Sequence, residues 1–126
     1  MKKAKVIVIN GIDYFPHPNG GGLVAKTAKV AKNAYIGSNA IVYDNAKVSG
    51  NAMVYDNAMI YGDAKVSGNA KISGNAKVYG NAKVSGNAKI LGSEICDNAK
   101  ISGDTSVYVG TKISGDLSLA EISEDN

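Results

Sequence analysis

Tryptophan and arginine do not occur in this chain of 126 residues; phenylalanine, histidine and cysteine occur once each and proline twice. Each shortage excludes something. A single cysteine, Cys96, cannot form an intramolecular disulfide and fits a reducing compartment. Without arginine there is no bidentate fork for phosphates or base edges, and a net charge of +3 is too mild to point to nucleic acid. One histidine cannot supply the three imidazoles of a carbonic-anhydrase-type zinc centre. No apolar window approaches the ~20 residues of a membrane span. The basic start Met1-Lys2-Lys3-Ala4-Lys5 meets only a short apolar run, Val6 to Ile9, before Asn10-Gly11. We read an intracellular, cytoplasmic protein with neither metal nor cofactor. Aromatic poverty beside abundant aliphatics, with alanine, glycine and asparagine in excess, directs attention to internal repeats.

The repeats are plain. From Ala40 to Ile90 one phrase recurs, as in Asn45-Ala46-Lys47-Val48-Ser49-Gly50 and Asn51-Ala52-Met53-Val54-Tyr55-Asp56. A branched aliphatic returns every sixth residue, through Val24, Val30, Ile36, Val42, Val48, Val54, Ile60, Val66, Ile72, Val78, Val84 and Ile90. Alanine stands two residues before it, from Ala28 to Ala88, and a spacing of two places both on one face of a strand. A period of six fits neither a helical stripe nor a coiled coil. Gly-Asn, Asp-Asn and Gly-Asp corners follow each short strand, and these residues accept positive φ or bond their own backbone. Strands with a corner every six residues leave no connection long enough for an ordinary sheet, so the chain must coil into a solenoid. The phase slips once. Ile95 follows Ile90 by five residues, which places a missing residue at the corner near Gly92; Ile101, Val107, Ile113 and Leu119 then resume the count.

This pattern resembles the hexapeptide-repeat, left-handed parallel β-helix family over residues 23 to about 119. The resemblance implies an all-β fold in which three hexads form a triangular coil of about 18 residues, giving about six coils and a prism roughly 27 Å long at ~4.8 Å per coil. The entry segment His17-Pro18-Asn19-Gly20-Gly21-Gly22-Leu23-Val24, followed by Asn-Ala-Lys-Val-Ser-Gly arrays, also resembles hexapeptide proteins of bacteria and their phages. Asn10-Gly11 between Lys5–Ile9 and Ile12–Phe15 predicts a β-hairpin capping the first coil with Ile, Tyr and Phe side chains. Residues 1–22 therefore form a hairpin and a Gly-rich flexible joint, 23–119 the β-helix, and 120–126 an acidic tail. Leu117, Leu119 and Ile122 are expected to close the far end, with Glu121, Glu124 and Asp125 opposing end-to-end stacking.

Given 18-residue coils, the outward positions sort into three walls. The first carries Leu23, Ile41 and Met59 beside Ala25, Tyr43, Tyr61 and Tyr79. The second carries Lys29, Lys47, Lys65, Lys83 and Lys100 beside Ser49, Ser67, Ser85 and Ser102. The third carries Tyr35, Met53, Lys71 and Lys89 beside Gly37, Tyr55, Ser73, Leu91 and Tyr108. The first wall, with Tyr35, Met53 and Tyr55 adjoining, is an apolar surface of the kind that marks a subunit interface. The resemblance implies a homotrimer of parallel prisms. The lysine column is a candidate anion site, though solvated lysines are also a usual covering for β surfaces.

Hexapeptide proteins are best known as acyltransferases, which the resemblance implies would place a histidine base on a coil, beside a loop interrupting the repeats. Here His17 precedes the repeats in a Pro-rich turn, and no loop interrupts Val24 to Ile90. Cys96 points outward at the slip with no histidine in its own segment, and Gly20-Gly21-Gly22 is not a phosphate loop. Asp44, Asp56, Asp63 and Asp97 sit at corners for turn reasons. The expectation is a non-enzymatic, rigid, homo-oligomeric structural or interaction module, phage- or prophage-related and then virion-associated. The hairpin is either a cap or a docking element for another protein. The alternative is nucleotide- or acyl-CoA-like ligand binding in clefts between subunits, including a degenerate acyltransferase.

Overall fold

A computed structural model describes residues 6–114 and 118–119. The chain opens with a hairpin of β1 (Ile7–Ile9) and β2 (Ile12–Pro16), joined through Asn10 and Gly11, both at positive φ (51° and 79°). Short strands then follow, most of them two residues long, in three stacked sheets. The first wall holds β3 (Leu23–Ala25), β6 (Ile41–Val42), β9 (Met59–Ile60), β12 (Lys77–Val78), β15 (Glu94–Ile95) and β18 (Lys112–Ile113). The second holds β4 (Lys29–Val30), β7 (Lys47–Val48), β10 (Lys65–Val66), β13 (Lys83–Val84), β16 (Lys100–Ile101) and β19 (Ser118–Leu119). The third holds β5 (Tyr35–Ile36), β8 (Met53–Val54), β11 (Lys71–Ser73), β14 (Lys89–Leu91) and β17 (Ser106–Val107). All pairings within these walls are parallel, and no helix occurs among the described residues. The molecule is a β-solenoid of about five turns among those residues, where about six were expected.

Register carries the argument from sequence to core. Val48, Val66 and Val84 lie one above another, as do Ile36, Val54, Ile72 and Ile90. From Ile36 to Ile101 every aliphatic of the repeat is essentially sealed from solvent, and so is every alanine two before it from Ala34 to Ala99. Burying each such Val or Ile is worth about 1.5–3 kcal/mol before chain entropy is subtracted. The slip lies where the spacing placed it. Lys71–Ser73 pairs with Lys89–Leu91 at a separation of 18, but Lys77 pairs with Glu94 at 17, so the residue is lost between Leu91 and Glu94. Gly92 turns that shortened corner at φ 64°.

The corners are stacked as tightly as the strands. Asn51 N donates to Gly68 O at 2.9 Å, and Asn69 N to Gly86 O at 2.8 Å. Gly68, at φ 67°, has no room for a side chain, because a Cβ there would lie 2.9 Å from Gly86 N. Asp44, Asp56 and Asp97 occupy the same left-handed position at φ 57–58°. Hydrogen bonds offset that strain: Gly62 N donates to Asp44 Oδ2 at 3.1 Å, and Gly74 N to Asp56 Oδ2 at 3.0 Å.

The expected hairpin is present at the start of the solenoid. It extends the first wall, β2 pairing antiparallel with β3 through Tyr14↔Ala25, Phe15↔Val24 and Pro16↔Leu23. The reason is the open row of backbone groups along β3, which an adjacent strand satisfies and a hairpin laid across the end would not. The glycine-rich stretch after it is tied to the third wall: Gly22 N donates to Ile36 O at 2.8 Å and Ile36 N to Asn19 O at 3.0 Å. Close approach requires glycine there, since a Cβ on Gly22 would lie 2.3 Å from Gly37 O. Leu117, Ile122, Glu121, Glu124, Asp125 and the Leu119 side chain, assigned to the far end, lie outside the described residues.

Two measurements test this packing. Ile72→Ala should cost about 2–5 kcal/mol in denaturant unfolding, while Lys71→Ala beside it should change stability by no more than about 0.5 kcal/mol. Ser93 takes an alanine position at the slip, and its buried hydroxyl has no hydrogen-bond partner. Ser93→Ala should therefore raise stability by about 1–3 kcal/mol by removing an unsatisfied polar group.

Candidate functional site

The eight-stranded sheet, hairpin included, presents one long outer face. In β2 the residues at even positions share the outward side of β3, because Tyr14 stands opposite Ala25 and Pro16 opposite Leu23. Ile7 and Ile9, opposite Tyr14 and Ile12, join them. This face runs through Ile7, Ile9, Ile12, Tyr14, Leu23, Ile41, Tyr43, Met59, Tyr61 and Tyr79. Ile9 and Ile12 are exposed, Tyr14 is buried, and the others are half-buried against one another.

Its centre is an aromatic column. Tyr43 and Tyr61 stack with centroids 4.8 Å apart and planes 9° from parallel; Tyr61 and Tyr79 do so at 4.9 Å and 4°. One-turn spacing is also a ring-stacking distance, so the repeat stacks the tyrosines without further adjustment. Tyr14 belongs to this column, only 7% exposed above Ala25. The sequence predicts the hairpin and its capping Tyr but not the strand it pairs with, so the place of Tyr14 in this column is read from the structure alone. The signal is Ala25, a small residue that leaves room at the head of the column of Tyr43, Tyr61 and Tyr79. Burial raises the pKa of Tyr14, Tyr43 and Tyr61 above the usual 10.0, and nearby Asp44 adds to the effect in each.

The column ends on Cys96, beneath Tyr79. The thiol faces away from the core as the register required, yet it is buried, 3% exposed, rather than open at the slip. Sγ lies 3.8 Å from the Ile113 carbonyl, to which it donates. The thiol lies beside the Tyr79 hydroxyl, and side-chain hydrogen bonding with Cys96, ahead of burial, pushes Tyr79 up to about 12. Cys96 is a packed, hydrogen-bonded thiol and not a presented nucleophile.

Lys29, Lys47, Lys65, Lys83 and Lys100 occupy one column, paired turn by turn, and all are exposed. Ser49 and Ser102 are exposed beside them, while Ser67 and Ser85 are half-buried. On the third wall Tyr35, Met53 and Tyr55 are half-buried round a groove of about 420 Å³, and Leu91 and Tyr108 are exposed farther down. A second groove, about 380 Å³, lies between the hairpin and the corner at Ile12, Tyr14, Thr27, Asp44, Asn45, Gly62 and Asp63. Among the described residues no three His, Cys, Asp or Glu side chains converge on a metal position.

His17, expected as a turn residue, stands just before the turn at Pro18–Gly20, is buried at 7% and acts as a clip. Its Nε2 donates to Ala34 O at 2.9 Å, while its backbone N donates to Gly22 O and its carbonyl accepts from Gly21 N. The ring is held by a main-chain carbonyl of the first turn, under the strap formed by Pro18 to Gly22. An ion pair, Lys112–Glu94 at 3.9 Å, lies on the first wall.

The tyrosine column has a pH signature. A raised folded pKa stabilises the protein below the unfolded value and is lost as pH rises, so stability should fall between about pH 10 and 12 as the unfolded chain ionises first. In an ultraviolet phenolate titration one tyrosine should ionise near pH 12, and Cys96→Ala should bring it down; an unchanged titration would refute the hydroxyl–thiol bond.

The family described as the YdcK β-solenoid repeat matches residues 46–62. No curated protein and no solved structure matches the chain. No helix among the described residues is long and apolar enough to cross a membrane. The matched stretch lies within the stacked turns, β7 to β9, and the match and the fold agree on a β-solenoid repeat.

Proposed function

We propose that this chain is a non-enzymatic structural or interaction module of the left-handed hexapeptide type, working as a rigid homo-oligomer in the cytoplasm or in a virion. The carrying observation is the apolar and aromatic strip on the outer face of the eight-stranded sheet, from β1 to β9 with Tyr79 on β12's turn, on a scaffold whose turns are bonded one to the next. Soluble chains seldom leave so long a strip uncovered. Side-by-side prisms cover it, and a homotrimer of parallel prisms is the arrangement the hexapeptide resemblance favours.

The side chains that acyl transfer would call on are used structurally. His17 holds the first turn to the strap, and Cys96 is enclosed between Tyr79 and Ile113. The lysine column works as a solvated wall: the side chains are long, exposed and fan outward, and they keep prisms from meeting through the second face.

Sedimentation analysis tests the reading. The wild-type chain should form a discrete oligomer, and Tyr61→Lys, which buries a charge in the strip, should lower its mass. Lys65→Ala on the second wall should leave the mass unchanged. An unaltered mass for Tyr61→Lys would rule the first wall out as the contact.

A further inference from the structure

The hairpin ends in an open strand edge, distinct from the face of the wall. Among the described residues β1 has a strand on one side only, at one end of the eight-stranded sheet. Natural sheet edges are guarded by charge, proline, bulges or a covering segment. Ile7–Ile9 contains neither lysine nor proline, and its pairing with β2 is continuous, Ile7↔Tyr14, Val8↔Asp13 and Ile9↔Ile12. Val6, Val8 and Ile9 are 47%, 62% and 38% exposed, three of the seven large apolar residues most open to solvent among those described.

Hairpin geometry fixes where the free backbone groups point. Asn10 and Gly11, both at positive φ, form a two-residue turn closed by Ile9 and Ile12. That closing pair exchanges both its backbone hydrogen bonds, and alternation along an antiparallel ladder makes Val8–Asp13 a non-bonded pair. The N–H and C=O of Val8 therefore point away from β2, out of the sheet.

We propose that a second copy of this chain pairs at this edge, β1 lying antiparallel to the partner's β1 about a two-fold axis at Val8. An antiparallel edge is complementary to itself under such an axis: Val8 N–H meets the carbonyl of the partner's Val8, and the reverse bond forms by symmetry. Apolar residues then face apolar residues on both sides of the ribbon, Val8 against the partner's Val8 and Ile7 against the partner's Ile9. The strand carries no charge that would select a polar partner. Ile7 and Ile9 share the outer face of the first wall, so the pairing continues that face from one prism into the next. This contact does not rest on the side-by-side contact proposed above.

The test compares the full-length chain with Val8→Pro, Tyr61→Lys and the double variant by sedimentation. Proline is accepted at an edge position whose N–H faces outward, so Val8→Pro removes the pairing bond and spares the hairpin's own. Val8→Pro should halve the mass of the wild-type assembly. Tyr61→Lys alone should retain a two-copy species, and the double variant should be monomeric. Hydrogen exchange on the wild type provides a readout independent of any variant: the Val8 amide should be protected in the assembly and lose that protection on dilution. A Val8→Pro mass equal to wild type with unchanged circular dichroism would overturn the proposal. So would a monomeric wild type, unlimited growth into fibres, or a Val8 amide that exchanges as fast as an open amide within the assembly. Loss of mass in Tyr61→Lys, with Val8→Pro unchanged, would sink the edge and leave the wall.

Discussion

Every other dimension of this molecule follows from the column of β-branched side chains at its centre. Val48, Val66 and Val84 can stack only if each turn of backbone ends directly above the start of the next. That requirement sets the rise between turns at the spacing of hydrogen-bonded strands, roughly 4.8 Å. Alanine beside each branched residue leaves room for three strands to converge on one axis, and every alanine from Ala34 to Ala99 is buried for that reason. A larger residue there would push a wall outward and break the ladder on both of its neighbours.

The same rise organises the surface. Side chains one turn apart lie at a ring-stacking distance, so tyrosines in one outward column become the stack Tyr43–Tyr61–Tyr79. Lysines in another column become a row of like charges that stay apart by extending into water. Corner asparagines bond along the axis as well, Asn69 Nδ2 donating to Asn87 Oδ1 and Asn87 Nδ2 to Asp104 Oδ1. The lost residue near Gly92 shows how firmly the column rules: the chain shortens a corner, and accepts an unsatisfied Ser93 hydroxyl, rather than let Ile95 leave the stack under Val78.

Ends are the weakness of a solenoid, since they expose strand edges and open the core. At the front this chain covers two walls by two devices. The hairpin adds strands to the first, and the strap at Asn19–Gly22 bonds to the third. His17 fastens the strap to the first turn. The hairpin moves the open edge outward to β1 instead of abolishing it, and Val6, Val8, Ile9 and Ile12 are left exposed there.

The amino-acid sequence by itself determined the stacking core, the corners, the position of the slip and the membership of the Tyr and Lys columns. All of these follow from a six-residue period, and a period is a local property that survives any choice of neighbours. Only the tertiary structure decided that the hairpin joins the first wall, that Tyr14 enters the aromatic column, and that His17 and Cys96 are buried. Each of those depends on a residue far along the chain: Ala25 opposite Tyr14, Ala34 O above the imidazole, and Tyr79 with Ile113 O around the thiol. The Asn10-Gly11 turn predicts a hairpin but says nothing of where it docks. That is settled by which strand has unpaired backbone groups within reach, and the open edge of β3 provides them.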